Sequence, residues 1–85
     1  MEVRFHRNFK KALQKQSRKI QNEFFEKLGV FSGNQFHYSL NNHALKGEFE
    51  GWRSFNVTGD VRVHFEEGAG VVILMDIGTH SQLYG

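Results

Sequence analysis

Five histidines, nine acidic residues and eleven lysines and arginines make up the charged and titratable side chains of this 85-residue chain, which has no cysteine. The missing thiol excludes disulfide frameworks, thiolate zinc sites and cysteine nucleophiles. His6 lies in a basic N-terminal segment and His37 follows a helical stretch, whereas His43, His64 and His80 fall near strand ends or on a polar strand face. His43 stands beside Leu45-Lys46-Gly47, and His80 within Gly78-Thr79-His80-Ser81, settings that bring side chains to a working surface. An unperturbed imidazole titrates near ~6.5, so two of them can divide general-base and general-acid work at neutral pH. Cleavage of RNA needs that division: the ribose 2′-hydroxyl loses a proton, the 5′-oxygen gains one, and cations stabilise the extra charge gathered around phosphorus. Lys46, Arg53 or Arg62 can supply the positive charge. DNA, without the 2′-hydroxyl, cannot enter this mechanism.

Other chemistries find less support. No H-x-H, H-x3-H or H-E-x-x-H spacing occurs, so zinc would have to be held by the dispersed His43, Asp60 and His80, and no metal site is expected. A nucleophile-elbow sequence is missing, and Gly68-Ala69-Gly70 reads as a hairpin turn and not as a strand-to-helix phosphate loop. No cofactor is called for.

The elements that must position these residues divide into a helical first half and a strand-rich second half. Glu2 to Phe5 alternates and reads as an opening strand. After Asn8 as cap, Phe9, Ala12 and Leu13 recur at helical spacing, with Lys11 and Lys15 on another face. Ser17 caps a second helix in which Ile20, Phe24, Leu28 and Phe31 form an apolar stripe, ending near Ser32-Gly33-Asn34. Such a helical pair must lie on a sheet to bury its stripe.

Arg53 to Val57 and Val61 to Glu66 both alternate around Thr58-Gly59-Asp60. A one-residue slip of register reverses every side chain, so Phe55 and Val57 share a face with Val61, Val63 and Phe65 only if an odd number of residues separates the paired positions. Asn56, Arg62 and His64 then meet on the opposite, polar face. After a turn at Glu67 to Gly70, Val71 to Ile77 is apolar on both sides, as an interior strand should be. The expected fold is α+β, in the order β-α-α-β-β-β, one domain over residues 1–85, with an antiparallel sheet and the helical hairpin on one face.

From Val3 to Lys19 seven basic residues occur without one acid, although the net charge is only +2. A basic face of this kind suits a polyanion or an acidic protein segment. The longest apolar run, Ala69 to Met75 counting Gly70, is far short of the ~20 residues of a membrane span, and Met1 to Arg7 has no signal-peptide core. A cytoplasmic setting without membrane contact is expected.

The pieces His43-Ala44-Leu45-Lys46-Gly47, Gly51-Trp52-Arg53-Ser54, Asp60-Val61-Arg62-Val63 and Gly78-Thr79-His80-Ser81 with Leu83-Tyr84, taken in this order and spacing, resemble the RelE/ParE toxin superfamily, most closely its YafQ-like branch. The resemblance implies a RelE-like microbial ribonuclease fold and a toxin of a type II toxin-antitoxin system. Its implied activity is cleavage of mRNA in the ribosomal A site, without a metal, until a cognate antitoxin binds. The implied catalytic residues are His43, Asp60, His80 and Tyr84. The implied RNA and phosphate contacts are Lys46 and Arg62, to which the polar-face argument and the basic helix add Asn56, His64, Lys11 and Lys15. Asn56 stands where YafQ-like proteins carry a histidine and Val61 where they carry a tryptophan, so acid-base work falls to His43 and His80. The expected partners are antitoxin, ribosome and mRNA, with a hetero-oligomer in the complex and a monomer when free. Two other functions fit the same residues: a ParE-like inhibitor of DNA gyrase, and an RNA-binding module that cuts nothing. Trp52 and Arg53 read as sheet anchors, and Leu45 and Leu83 as core.

Overall fold

The computed structural model describes residues 1–85. The chain runs β1 (Glu2–Phe5), α1 (Arg7–Lys15), α2 (Arg18–Gly33), β2 (His43–Ala44), β3 (Arg53–Asn56), β4 (Val61–Gly68), β5 (Val71–Thr79) and α3 (His80–Tyr84), with 3₁₀ turns at Tyr38–Leu40 and Gly47–Phe49.

The cap of α1 is His6 and not Asn8: the extended backbone of His6 lets its Nδ1 accept from the Asn8 N–H at 3.0 Å. An imidazole nitrogen serves there as the side-chain oxygen of a usual cap would, which puts Asn8 inside the first turn. Ser17 caps α2 as expected, its Oγ accepting from the Ile20 N–H at 3.2 Å. The Gln21 amide donates to the Leu13 and Gln16 carbonyls at 3.2 and 3.0 Å, satisfying the exposed end of α1 and fixing the corner between the helices.

The sheet order is β1-β5-β4-β3-β2. From β2 to β5 every neighbour is antiparallel, but β1 runs parallel to β5, so the sheet is mixed and not wholly antiparallel. The helical pair carries the chain from one edge of the sheet to the other, and three reversals bring it back beside β1. The turn between β4 and β5 is closed by Gly70 at φ 74°, a left-handed conformation that favours glycine. Phe55 faces Val63, and Asn56 faces Arg62, as the odd spacing required. Two elements depart from the expected order: His43–Ala44 forms a short edge strand where a loop was expected, and the C-terminal turn is helical.

One face of the sheet is packed by α1 and α2 around Phe9, Phe24, Phe31, Phe55, Phe65 and Leu74, all fully buried. Phe31 stacks on Phe55 with centroids 4.8 Å apart and meets Phe65 edge-on at 5.2 Å. Phe5, Phe9 and Phe24 form a second aromatic group with centroids 5.1 to 5.9 Å apart. Leu45 and Leu83 are buried, as read from the sequence.

Phe31 joins α2 to two strands, and its truncation leaves a hole that aromatic neighbours cannot close. Phe31→Ala is expected to cost about 3–5 kcal/mol in urea unfolding. Phe25→Ala, at a position 53% exposed, is expected to change stability by well under half as much. Equal losses at the two positions would show that the core is organised otherwise.

Candidate active site on the open face of the sheet

The face of the sheet turned away from α1 and α2 carries a continuous cross-strand row. His43 pairs with Ser54, Ser54 with His64, and His64 with Asp76. Paired residues point to the same face, and strands lie ~4.8 Å apart, so His43 and His64 are separated by roughly 10 Å of backbone with Ser54 between them. The next row on this face is Asn56, Arg62 and Gly78. A bulge keeps the row polar: Phe65 pairs with Leu74 while His64 pairs with Asp76, leaving Met75 without a partner.

The C-terminal helix α3 completes the site. Thr79 Oγ1 accepts from the Gln82 N–H at 3.2 Å, and the Thr79 N–H donates to Gln82 Oε1 at 2.8 Å, a reciprocal capping box. Gly78 makes this possible, because a Cβ there would lie 2.8 Å from Gln82 Oε1. The box fixes the start of the helix, and His80 and Tyr84, four residues apart, fall on one face with ring centroids 4.6 Å apart. Tyr84 in turn meets His64, its hydroxyl 3.1 Å from His64 Nε2.

His43 is held by its backbone neighbour. The Asn41 carbonyl lies 2.8 Å from His43 Nδ1 and can only accept, so Nδ1 carries a proton, and in the neutral ring the lone pair is on Nε2. Asn41 reaches this position in the left-handed conformation, at φ 47°.

Asp60 stands exposed one residue beyond the Val61–Thr79 pair, at the end of the sheet where α3 begins with His80. Thr58 Oγ1 accepts from the backbone N–H groups of Asp60 and Val61 at 3.2 and 3.0 Å and shapes this turn. Lys46 is exposed at the start of the 3₁₀ turn that leads to Phe49. Lys11 and Lys15 line a cleft of about 380 Å³ between α1 and β5, which adjoins the row at Asp76 and α3 at Gln82.

His64 differs from its expected role. It lies on the polar face but is 1% exposed, covered by Phe49, Trp52 and Tyr84 with centroids 5.0, 6.3 and 5.3 Å away. Burial, with a smaller contribution from the charge of His43, holds its imidazole down at about 4. It is therefore an enclosed group, neutral at pH 7, and not the open phosphate contact expected of it. Phe49 and Trp52 form this cover, and Phe49 was not singled out in the sequence, where only the recurrence of aromatics three residues apart marks it. Trp52 is anchored by donation from Nε1 to Glu66 at 3.1 Å. Arg53 is engaged with Asn42 at 2.9 Å, Glu67 at 3.5 Å and the Phe36 ring, consistent with its reading as a sheet anchor.

Of the five buried side-chain polar atoms without a partner in the protein, four belong to this face: Ser54 Oγ, Asn56 Oδ1, Arg62 Nε and His64 Nδ1. A buried group left unpaired costs ~1–3 kcal/mol, so their concentration on one face marks it as built for more than stability. No three His, Asp or Glu side chains gather closely enough to hold a metal ion. No helix is long and apolar enough to cross a membrane.

A mixed five-stranded sheet with a helical pair on one face and histidines on the other defines a small α+β protein, whose class comparison with known proteins identifies. The YafQ family model, described as a bacterial toxin of a type II toxin-antitoxin system, matches residues 1–85. The fold is similar to that of YafQ from Escherichia coli (TM-score 0.84, 16% identity, 99% of this chain and 98% of that one). It is also similar to HP0894 from Helicobacter pylori (TM-score 0.72, 21% identity, 99% of each chain). A third similar structure is the RelB-RelE antitoxin-toxin complex from Methanococcus jannaschii (TM-score 0.77, 16% identity, 96% of this chain and 95% of that one). Comparison with curated protein sequences returns no match. The chain belongs to the YafQ family of type II toxins.

The buried imidazole makes stability depend on pH. The unfolded chain takes up the His64 proton near 6.5 and the folded one near 4, so stability is full above pH 6.5 and drains as pH falls toward 4, by an amount on the order of 3 kcal/mol. Asp76 acts in the opposite sense: burial raises its carboxyl, against the bond from the Ile77 N–H, so the folded chain gains stability when this group protonates. The urea midpoint of the wild type is expected to fall across the His64 window relative to that of His64→Gln, in which the opposite contribution of Asp76 remains. A wild-type midpoint that runs parallel to that of the variant in that window would mean that His64 titrates freely in place.

Proposed function

We propose that this toxin is a metal-independent endoribonuclease that cuts mRNA in the ribosomal A site and is silenced by a cognate antitoxin. What supports this reading is that His43 and Arg62 belong to one face of the sheet, that His80 and Tyr84 adjoin it through the Tyr84–His64 contact, and that buried polar atoms of the same face lack partners. In the neutral tautomer that the Nδ1–Asn41 bond favours, His43 Nε2 has the free lone pair that removes the 2′-hydroxyl proton. The 2′-oxygen attacks the adjacent phosphorus, and Arg62 and Lys46 stabilise the charge on the non-bridging oxygens. His80, as imidazolium, gives its proton to the departing 5′-oxygen, leaving a 2′,3′-cyclic phosphate and a 5′-hydroxyl. Asp60 orients the end of the sheet at which His80 stands, Asn56 offers a hydrogen-bonding amide, and Tyr84 supports the His80 ring and positions the RNA. Lys11 and Lys15 track phosphates farther along the strand.

The antitoxin reading is supported by the solved complexes of relatives, DinJ-YafQ from E. coli and RelB-RelE. An acidic and apolar segment of such a partner would cover the basic surface in a hetero-oligomer, the free toxin being a monomer in the cytoplasm. Its affinity is expected to fall as salt rises; affinity independent of ionic strength would point to an apolar interface.

With programmed ribosomes, A-site cleavage leaving a 2′,3′-cyclic end is expected, and His43→Gln and His80→Gln should each slow it ~10²–10⁴-fold. Unchanged cleavage in both variants would remove these residues from the chemistry. Inhibition of supercoiling without any cleavage would instead identify a gyrase-directed toxin.

A further inference from the structure

His64 is the most enclosed titratable group in the molecule, yet the cleavage scheme above does not use it. Its ring is packed edge-on by Phe49 and Tyr84, and its two nitrogens have different surroundings. Nε2 lies 3.1 Å from the Tyr84 hydroxyl, whereas Nδ1 is buried with no partner in the protein. A neutral imidazole carries one proton. On Nδ1 it would be a buried N–H with nothing to receive it, and such orphan donors are rarer in folded proteins than orphan acceptors. On Nε2 it has the phenol oxygen as acceptor, and Nδ1 is left as a bare lone pair.

We propose that His64 is a positioning residue that donates from Nε2–H to the Tyr84 oxygen, turns the phenol hydrogen outward, and so makes Tyr84 a hydrogen-bond donor to a phosphate oxygen of bound RNA. Tyr84 is 40% exposed, so its hydroxyl hydrogen, freed from His64, is directed to the side where RNA would lie. An oxygen that already accepts one hydrogen bond is polarised toward donating another. The low proton affinity of the buried imidazole keeps it neutral at physiological pH, so the arrangement is present whenever the toxin is folded. The same contact holds the Tyr84 ring, against which the His80 ring lies tilted with centroids 4.6 Å apart. The phosphate contact rests on the nuclease reading, but the direction of the His64–Tyr84 bond does not.

The test therefore begins with spectroscopy on the intact toxin. Long-range nitrogen-proton NMR correlations of the wild type should find the His64 proton on Nε2; a proton on Nδ1 overturns the proposal. Tyr38→Phe, at a side chain 89% exposed, leaves Tyr84 as the sole tyrosine for Raman measurement of its ring doublet, which separates phenols that accept from those that donate. The doublet should show an accepting phenol, change in His64→Leu, and be kept in His64→Gln, whose amide N–H reaches the same region. A doublet that is the same with His64 present and in His64→Leu overturns it. In the ribosome assay, His64→Leu and Tyr84→Phe should each lower cleavage roughly ten- to hundredfold, with recovery in His64→Gln. An active wild type whose rate is unmoved by His64→Leu overturns the positioning role. Wild-type inactivity with the expected spectra supports the bond and removes the nuclease reading alone.

Discussion

The structure depends on the period of two along β4. Val61, Val63 and Phe65 turn toward the helices and are buried there, and this alone forces Arg62, His64 and Glu66 to the other side. A slip of one residue would expose the apolar set and bury the charged one, so the core fixes the register and the register fixes the site. The hydrophobic effect thus positions the polar face without contacting it. The bulge at Met75 keeps that relation intact on β5, where Leu74 must face the core while Asp76 joins the His64 row.

Much of this was legible in the sequence because alternation and helical spacing are local. The two helices, the stripe from Ile20 to Phe31, and the face that Phe55 shares with Val63 followed from residue order alone. What was not legible depended on contacts distant in the chain. The parallel pairing of β1 with β5 joins residues about as far apart as the fold allows, and no local pattern encodes it. The cap by His6 was missed because its ring nitrogen does the work usually expected of a side-chain oxygen.

The candidate site divides in the same way. His43, His80, Asp60 and Tyr84 were marked by type and by resemblance, and the geometry brings His80 onto Tyr84 and places His43 on the row of His64. The face of His64 followed from parity, but its enclosure did not, because Phe49 and Tyr84 arrive from distant segments. A polar residue on an outward-facing position is exposed only if nothing folds over it. That covering turns a residue read as an RNA or phosphate contact into an enclosed, neutral one.

The capping box at Thr79 and Gln82 has a further consequence. A helix of five residues has almost no stability of its own in water, and α3 depends on that box, on Leu83, on the seating of Tyr84 and on the bond that Gln16 Nε2 donates to Gln82 Oε1. Warming should therefore loosen this segment before the sheet and its aromatic interior give way. The heat tolerance of the chemistry would then be set by a single helical turn, some degrees below that of the scaffold.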